Sequence, residues 1–516
     1  MTHPHPRSSR FAHNPGASIS LVLLVLWMSA AALANTPSKP KAKSAPKAAA
    51  VHKPGTAPHH THASAANPKP LKHNGRPSRA SRAAIAAANT HAAHPHPHEF
   101  DKAVVPVTRV PEAAPIALAE PSHSPFLYAK QLEPFFEDLA DVQAELHSAT
   151  PKPNAQSSIP ALASVVRVLQ FGDSHTAADL FTGAMRADLQ TRFGDGGLGF
   201  QYPGHPFAGY HLAGSARSQS AGWFTEGNHF TALGDGALGL GGISITTSRP
   251  GEWISLSTTC TTLQVHYLRQ AGGGKLSFSD NGTFVSQVDT ASDGTGSAGT
   301  LTYACTPGVH EFELTTLDHA PVRLFGLVTE QPGVTWECLG INGAVATLML
   351  RWNQTLFAEY LRQRDPSLIV LAYGTNEAAG SAAHNAEYVA DFNRLLDNLH
   401  RIVPTASVLV LGPYDRATKL GRGRRAAWQT WAGTARIIED QKESCRTHGC
   451  AYYDQRARMG GPGAMIRWAS EGLAQGDHTH LTGAGYRTMA DALYNDLLTA
   501  YKAYEPATQA VVPNGN

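Results

Sequence analysis

The first 98 residues contain no aspartate and no glutamate. Ten lysines and arginines lie between Asn35 and His98, with Arg7 and Arg10 ahead of them, so the whole-chain net charge of +2 conceals a division. Residues 99–516 hold 30 basic and 40 acidic residues, and a basic tail thus precedes an acidic globule. Between residue 35 and about 122 the chain is rich in Ala, Pro, Lys, His and Ser, with few aromatics and no apolar period. Such a stretch cannot bury enough surface to offset its conformational entropy, which excludes a packed core and predicts a disordered, partly extended linker. With no fold to fix their geometry, His59, His60, His62, His94, His96 and His98 read as tether residues rather than a metal site. The linker's positive charge suits loose contact with anionic envelope polymers. No nucleic-acid partner is expected.

Long apolar runs are almost absent. The one candidate, Ile19 to Leu33, follows Arg7 and Arg10 and ends in Ala32-Leu33-Ala34, a small-x-small pattern. That order describes a secretory signal removed near Ala34, the other reading being an uncleaved anchor. The run is short for a full span, and no later segment approaches spanning length. The expectation is a chain exported to the periplasm or another extracytoplasmic space, with no stable span after cleavage. Cysteine is scarce: Cys260, Cys305, Cys338, Cys445 and Cys450, with no Cys-x-x-Cys and no zinc-type spacing. Export permits disulfides; Cys260–Cys305 and Cys445–Cys450 are two candidate pairings, sequence alone leaving the connectivity open, and Cys338 reads as a small buried apolar residue.

What is present begins near Ser124-Pro125, a helix-start signal followed by the apolar stripe Phe126, Leu127, Leu132, Phe135, Phe136 and Leu139. An apolar strand, 165–171, then runs into Gly172-Asp173-Ser174, and a helix follows over about 178–193. From about residue 200 to 330 Gly, Thr and Ser become frequent and short alternating runs such as Leu263-Gln264-Val265 and Leu276-Ser277-Phe278 appear. Asp280-Asn281-Gly282-Thr283 between two such runs predicts a hairpin. This segment reads as an inserted β-sandwich. After Gly333 strands alternate with helices: strand 334–339, turn Gly340-Ile341-Asn342-Gly343, helix 344–364, strand 367–373, helix 385–402, strand 407–411, helix 424–447, strand 451–453, and a last helix from Gly483 to about residue 503. That alternation predicts an α/β fold with a doubly wound parallel sheet.

In such sheets functional groups gather beyond the carboxyl ends of the strands. Ser174, Gly343 and Asn376 each follow an apolar strand within a few residues. A serine needs a base to accept its proton. Asp477-His478-Thr479-His480 supplies an imidazole and a carboxylate three residues apart. His480 is the candidate base, His478 its competitor, and Asp477 the carboxylate that orients the ring. Developing negative charge on an acyl oxygen needs preorganised donors, and the Ser174 amide at a helix start, the Gly343 amide and the Asn376 side chain are the candidates. Asp173 reads as a helix cap, His175 and Glu377 as supports of the site, and Tyr202 and Tyr373 as packing residues with aromatic contact to a sugar as the alternative. No cofactor and no metal is required.

Taken together, Phe171-Gly172-Asp173-Ser174-His175, Gly340-Ile341-Asn342-Gly343-Ala344, Gly374-Thr375-Asn376-Glu377 and Asp477-His478-Thr479-His480-Leu481 resemble, in order, four of the blocks of the SGNH (GDSL-type) hydrolase superfamily. The resemblance covers about residues 160–504 apart from the insert. It implies a flavodoxin-like sheet, with Ser174 as nucleophile, Asp477 and His480 completing a triad, and Ser174, Gly343 and Asn376 forming the oxyanion hole. A narrower likeness, to bacterial peptidoglycan O-acetylesterases, rests on His175 directly after Gly-Asp-Ser, on the Gly-x-Asn-Gly-Ala block and on the β-rich insert. It implies an acetyl-ester substrate on a polysaccharide, peptidoglycan foremost, with the insert resembling a carbohydrate-binding module. The expected organisation is a signal peptide (1–34), a linker (35–122), a hydrolase domain in two parts (123–199 and 331–506) around the insert (200–330), and a short tail (507–516). An envelope O-acyltransferase would use the same triad, and a non-catalytic glycan-binding protein is the third reading.

Overall fold

The computed structural model describes Leu118, residues 124–147, and residues 165–504 apart from 209, 230, 380 and 381. The expected signal peptide, almost all of the linker and the C-terminal tail lie outside the described residues. Among the described residues no helix is long and apolar enough to cross a membrane.

The chain forms a mixed α/β fold around a six-stranded sheet. Its strands, in spatial order, are Phe126–Leu127, Ala451–Tyr453, Ser407–Leu411, Leu368–Ala372, Val165–Gly172 and Gly333–Gly340. The last five are parallel, and only Phe126–Leu127 runs against its neighbour. Side chains along a strand alternate between faces, and a parallel sheet covered on both faces needs apolar residues on each. The sequence supplies them. Leu169, Phe171, Ile369, Leu371, Val408 and Val410 enter one core with Phe357, Phe392 and Ile437 of helices Gln354–Arg364, Ala382–Ile402 and Ala432–His448. Val166, Val168, Leu368, Val370, Leu409 and Leu411 enter the other with Phe136, Met185 and Leu493 of helices Glu133–His147, Leu180–Phe193 and Gly483–Tyr504. Each such side chain contributes about 1.5–3 kcal/mol by leaving water. The sheet is therefore covered by helices on both faces, with its carboxyl-end loops free to carry polar groups.

Three local expectations are corrected. Ser124-Pro125 does not start a helix. Phe126 and Leu127 instead pair with Tyr453 and Tyr452, Phe126 packs on the Tyr453 ring at 4.9 Å, and the helix begins at Glu133. The stretch 344–364 is two pieces, a 3-10 segment Ala346–Arg351 and the helix Gln354–Arg364. Trp352 is extended, and the Asn353 side chain caps the second piece at the Leu356 amide. Residues 424–430, expected to open the helix 424–447, instead belong to a β-hairpin, Ala417–Leu420 against Ala427–Thr430. Gly421 and Gly423 hold positive φ (83° and 59°) in the hairpin's turn, and the helix starts at Ala432.

The insert is made of β-strands. It is one hydrogen-bonded nine-stranded sheet dominated by two long strands, Trp253–Arg269 and Ser297–Thr316, paired along nearly their whole length. Leu276, Phe278, Leu324 and Val322 in it are fully buried, yet their apolar cluster contains only residues of this sheet and Trp223 beside it. The sheet must therefore curl over its own core. A second contact, through Phe200, Tyr202, Phe325 and Val328, joins the core of the parallel sheet. Tyr202 is wholly buried there and its hydroxyl donates to the Gly241 carbonyl, and Tyr373 is buried as well, so both are packing residues. The predicted 280–283 turn is present, with Asn281 and Gly282 at positive φ between strands Lys275–Asp280 and Thr283–Asp289.

All five cysteines are free thiols. Cys260 and Cys305 face each other beside the register shift between Ala304 and Gly308, but their sulfurs are 3.8 Å apart, far beyond the roughly 2 Å of a disulfide. Cys445 instead donates to the Ala451 carbonyl at the end of its helix. Cys338 is buried and donates to the Thr176 carbonyl.

Candidate active site

Val165–Gly172 lies between Leu368–Ala372 and the edge strand Gly333–Gly340, and its carboxyl end carries buried Asp173 and half-buried Ser174. Gly172 is required at the bend: a Cβ there would run into the Thr176 side chain and the Ala372 carbonyl. Asp173 caps the short helix Ser174–Ala177, its Oδ1 accepting from the His175 amide at 2.9 Å. Ser174 is thereby left half-buried at the first helical position, its hydroxyl facing outward.

From the other end of the chain, the loop after residue 474 returns over this bend. Ser174 Oγ lies 2.9 Å from His480 Nε2. His480 Nδ1 lies 2.7 Å from Asp477 Oδ2, while Asp477 Oδ1 accepts from the amides of Thr479 and His480 at 3.0 Å. Burial pushes the Asp477 carboxyl up, but the bond and charge of His480 and the two amides outweigh it and hold the group at about 2. An ionised carboxylate only accepts hydrogen bonds, so Nδ1 carries the imidazole proton and Nε2 presents its lone pair to the serine hydroxyl. Of the two histidines, His480 is the one that faces Ser174. His478 is left-handed (φ 53°), bonds to the Gly476 carbonyl and stacks on Trp428 at 3.7 Å, away from Ser174.

The other candidate donors converge on the same place. Gly343 holds φ 74° in the turn after Gly333–Gly340. Among the described residues the amides of Ser174 and Gly343 have no hydrogen-bond partner. Asn376 bridges the two loops: its Nδ2 donates to the Ala344 carbonyl at 2.8 Å and makes a long 3.5 Å contact with Asp173 Oδ2. One hydrogen of that amide is thus held and the other weakly engaged, an arrangement able to turn toward an acyl oxygen. Three donors of this kind around one hydroxyl can stabilise a tetrahedral oxyanion.

Supporting groups are now visible. Glu377 Oε1 accepts from the Ala346 amide at 2.8 Å and ties the Asn376 loop to the Gly343 turn; burial raises its carboxyl to about 7 despite those amide bonds. Burial likewise raises Asp173 to about 6, against the His175 amide and the charge of His480. His175 is buried, bonds through Nδ1 to the Tyr486 hydroxyl at 2.8 Å, and is driven well below its ordinary range by burial, so it stays neutral. Sequence reasoning missed Tyr486 and Arg416. Arg416 donates to the Thr375 carbonyl at 3.2 Å beside Asn376, with burial lowering its pKa and the charges of Asp477 and Asp173 raising it. Neither residue falls in a recurring block, so no local signal marked them. A small cavity beside the site, lined by Asp173, His175, Thr375 and Tyr414 among others, measures about 10 Å³, far too small for a sugar. Among the described residues no group of three or more His, Cys, Asp or Glu is placed to hold a metal ion.

Residues 301–488 match the model of the GDSL-like lipase/acylhydrolase family, a span that contains Gly343, Asn376, Asp477 and His480. No curated protein matches the chain. Among solved structures, a peptidoglycan O-acetylesterase is similar at 23% identity and a TM-score of 0.60, over 73% of this chain and 99% of that one, a likeness that speaks to the fold. Looser likenesses are a family two carbohydrate esterase from Clostridium thermocellum in complex with cellohexaose (14% identity, TM-score 0.24, 54% of this chain and 98% of that one) and another from Cellvibrio japonicus (12%, 0.23, 56% and 99%). The match of residues 301–488 to a GDSL-like lipase/acylhydrolase domain supports a carboxylic ester hydrolase.

Proposed function

We propose that this is an exported serine esterase that removes O-acetyl groups from a cell-envelope glycan, with peptidoglycan as the first candidate. In this reading residues 123–199 and 331–506 make up one hydrolase unit interrupted by residues 200–330. The observation that carries the proposal is the unbroken chain Ser174 Oγ, His480, Asp477, with contacts of 2.9 and 2.7 Å. Ser174 attacks the acetyl carbonyl as its proton passes to His480 Nε2. The amides of Ser174 and Gly343 and the Asn376 side chain hold the oxyanion. His480 then returns the proton to the departing sugar hydroxyl, leaving acetyl-Ser174. Water, deprotonated by the same imidazole, releases acetate and restores the hydroxyl. The choice of an acetylated glycan is supported by the likeness of the fold to a peptidoglycan O-acetylesterase.

The test is acetate release from O-acetylated peptidoglycan and from acetylated xylan by the wild type and by Ser174→Ala. The expected result is release from peptidoglycan by the wild type and a loss of at least about 10⁴-fold in the variant. Retained activity in the variant would overturn Ser174 as nucleophile. Acetylated glycan formed from an activated donor, with no free acetate, would move the reading to an acyltransferase.

A further inference from the structure

The hairpin ahead of helix Ala432–His448 is the most basic segment of the described structure. From Arg416 to Trp431 the sequence has five basic residues, Arg416, Lys419, Arg422, Arg424 and Arg425, and no acid, inside a globule with an excess of acids. The hairpin is fastened to the site at its base. The Ala417 amide donates to the His478 carbonyl at 3.0 Å, Trp428 stacks on the His478 ring, and Trp431 Nε1 donates to the Ala378 carbonyl at 2.7 Å. It is thereby stitched to both the Asn376 loop and the His480 loop.

Lys419, Arg422 and Arg425 are exposed, and among the described residues none of them, nor half-buried Arg416, has a carboxylate within ion-pair distance. Arg416 donates to a carbonyl, lies over the Trp431 ring at 5.6 Å, and feels the charges of Asp477 and Asp173 without forming an ion pair with either. By contrast Arg186, Arg364, Arg456 and Arg458, all equally or more enclosed, each meet a carboxylate within 2.9 Å. Asp415, the nearest acid in sequence, is already taken by Arg456. Holding several like charges together without partners costs stability, and a surface of this kind favours an anionic ligand. At about 3.4 Å per residue the strand from Arg416 to Gly421 extends roughly 17 Å, enough to meet more than one negative group along a polymer.

We propose that the Arg416–Trp431 hairpin is a subsite for a glycan chain bearing carboxylates, and that it makes the enzyme prefer an anionic acetylated polymer to a neutral one. The inference rests on the esterase reading and deepens it. Arg416 holds the carboxylate nearest the reacting ester, and Arg422 and Arg425 hold the chain beyond it.

The test compares the full-length wild type, the charge reversal R422E/R425E, and the control R362E/R401E. The control arginines are exposed and end helices that precede strands, so they lie at the opposite edge of the sheet from the site. For each, kcat/KM is measured on O-acetylated peptidoglycan and on a small neutral acetyl ester, at low and high salt. R422E/R425E should lower the ratio of polymer to small-ester kcat/KM by about tenfold at low salt, mainly through KM, with the difference shrinking as salt screens it. The control should keep the wild-type ratio. The basic tail is the same in all three proteins, so differences report the hairpin. An unchanged ratio in R422E/R425E, or an equal fall in the control, overturns the proposal. Should the wild type release no acetate from peptidoglycan, the esterase reading fails by itself. Cosedimentation with peptidoglycan stripped of acetyl groups then decides the hairpin: weaker binding by R422E/R425E than by the control supports it. Equal binding, or a charge-reversal effect seen only with anionic lipid vesicles, ends it.

Discussion

Each of the two sheets carries a histidine–aspartate pair, and only one of them can act as a base. At the end of the parallel sheet, Asp477 holds His480 Nδ1 and leaves Nε2 pointing at the Ser174 hydroxyl. In the antiparallel insert, Asp280 lies 2.8 Å from His310 Nδ1, but His310 Nε2 meets the Thr306 carbonyl at 2.7 Å. A carbonyl accepts only, so that nitrogen carries a proton and has no lone pair to offer. The ring is stacked on Phe312 with an interplanar angle of 2°, and the Tyr303 hydroxyl donates to Asp280. The insert's pair is closed and structural; the other is open on one side. Residue type and pairing are the same in both, and what differs is whether the last nitrogen faces a hydroxyl or a carbonyl.

That contrast can be broken most sharply at Asp477. Asp477→Asn should keep the fold and lower kcat for a small acetyl ester by about 10⁴-fold, because the amide no longer fixes the imidazole tautomer. A fall of less than tenfold in steady-state assays would place His480 outside the proton path. Asn376→Ala should cost about 10²–10³ in kcat if its amide supports the oxyanion, with KM little changed. Wild-type turnover in that variant would reduce Asn376 to a loop tie between Ala344 and Asp173. Asp280→Ala should do the reverse of both. It strands a buried imidazole and the Tyr303 hydroxyl, lowering stability by on the order of 1–3 kcal/mol in denaturant unfolding, while small-ester turnover stays within about twofold of the wild type. A large loss of turnover would couple the insert to the chemistry.

The smallest effect concerns pH. The Glu377 carboxyl is raised by burial to about 7, against an ordinary value of 4.5. Between those values the unfolded chain releases this proton and the folded chain retains it, so stability falls as pH rises from about 4.5 through 7. Glu377→Gln should flatten that decline, visible as a smaller shift of the unfolding midpoint between pH 5 and 8. A decline as steep as in the wild type would mean that Glu377 is already ionised in the fold.

Legibility in the sequence followed the range of the forces involved. Strands such as Ser407–Leu411 and Ala451–Tyr453 were readable because an uninterrupted apolar run has few alternatives once both faces of a sheet are covered. Asn281-Gly282 was readable because its two positive φ values are a local property of those residues. The Arg416–Trp431 stretch misled: Arg, Ala and Gln are good helix formers, and the hairpin exists because Trp428 and Trp431 find partners in distant loops. The form of the insert was less legible for a related reason. Alternation reports which face of a strand is buried, not whether the cover comes from another sheet or from the same one curling back.

By itself the amino-acid order determined the alternation of strands and helices, the polar turns at the strand ends and the stock of groups able to transfer an acyl unit, since each depends on neighbours a few residues apart. Only the tertiary structure decided which histidine faces the serine, that Tyr486 holds His175, and that an unpaired basic hairpin borders the site. Those outcomes depend on contacts across as many as 311 positions, and the geometry of such contacts is set by how the two cores pack.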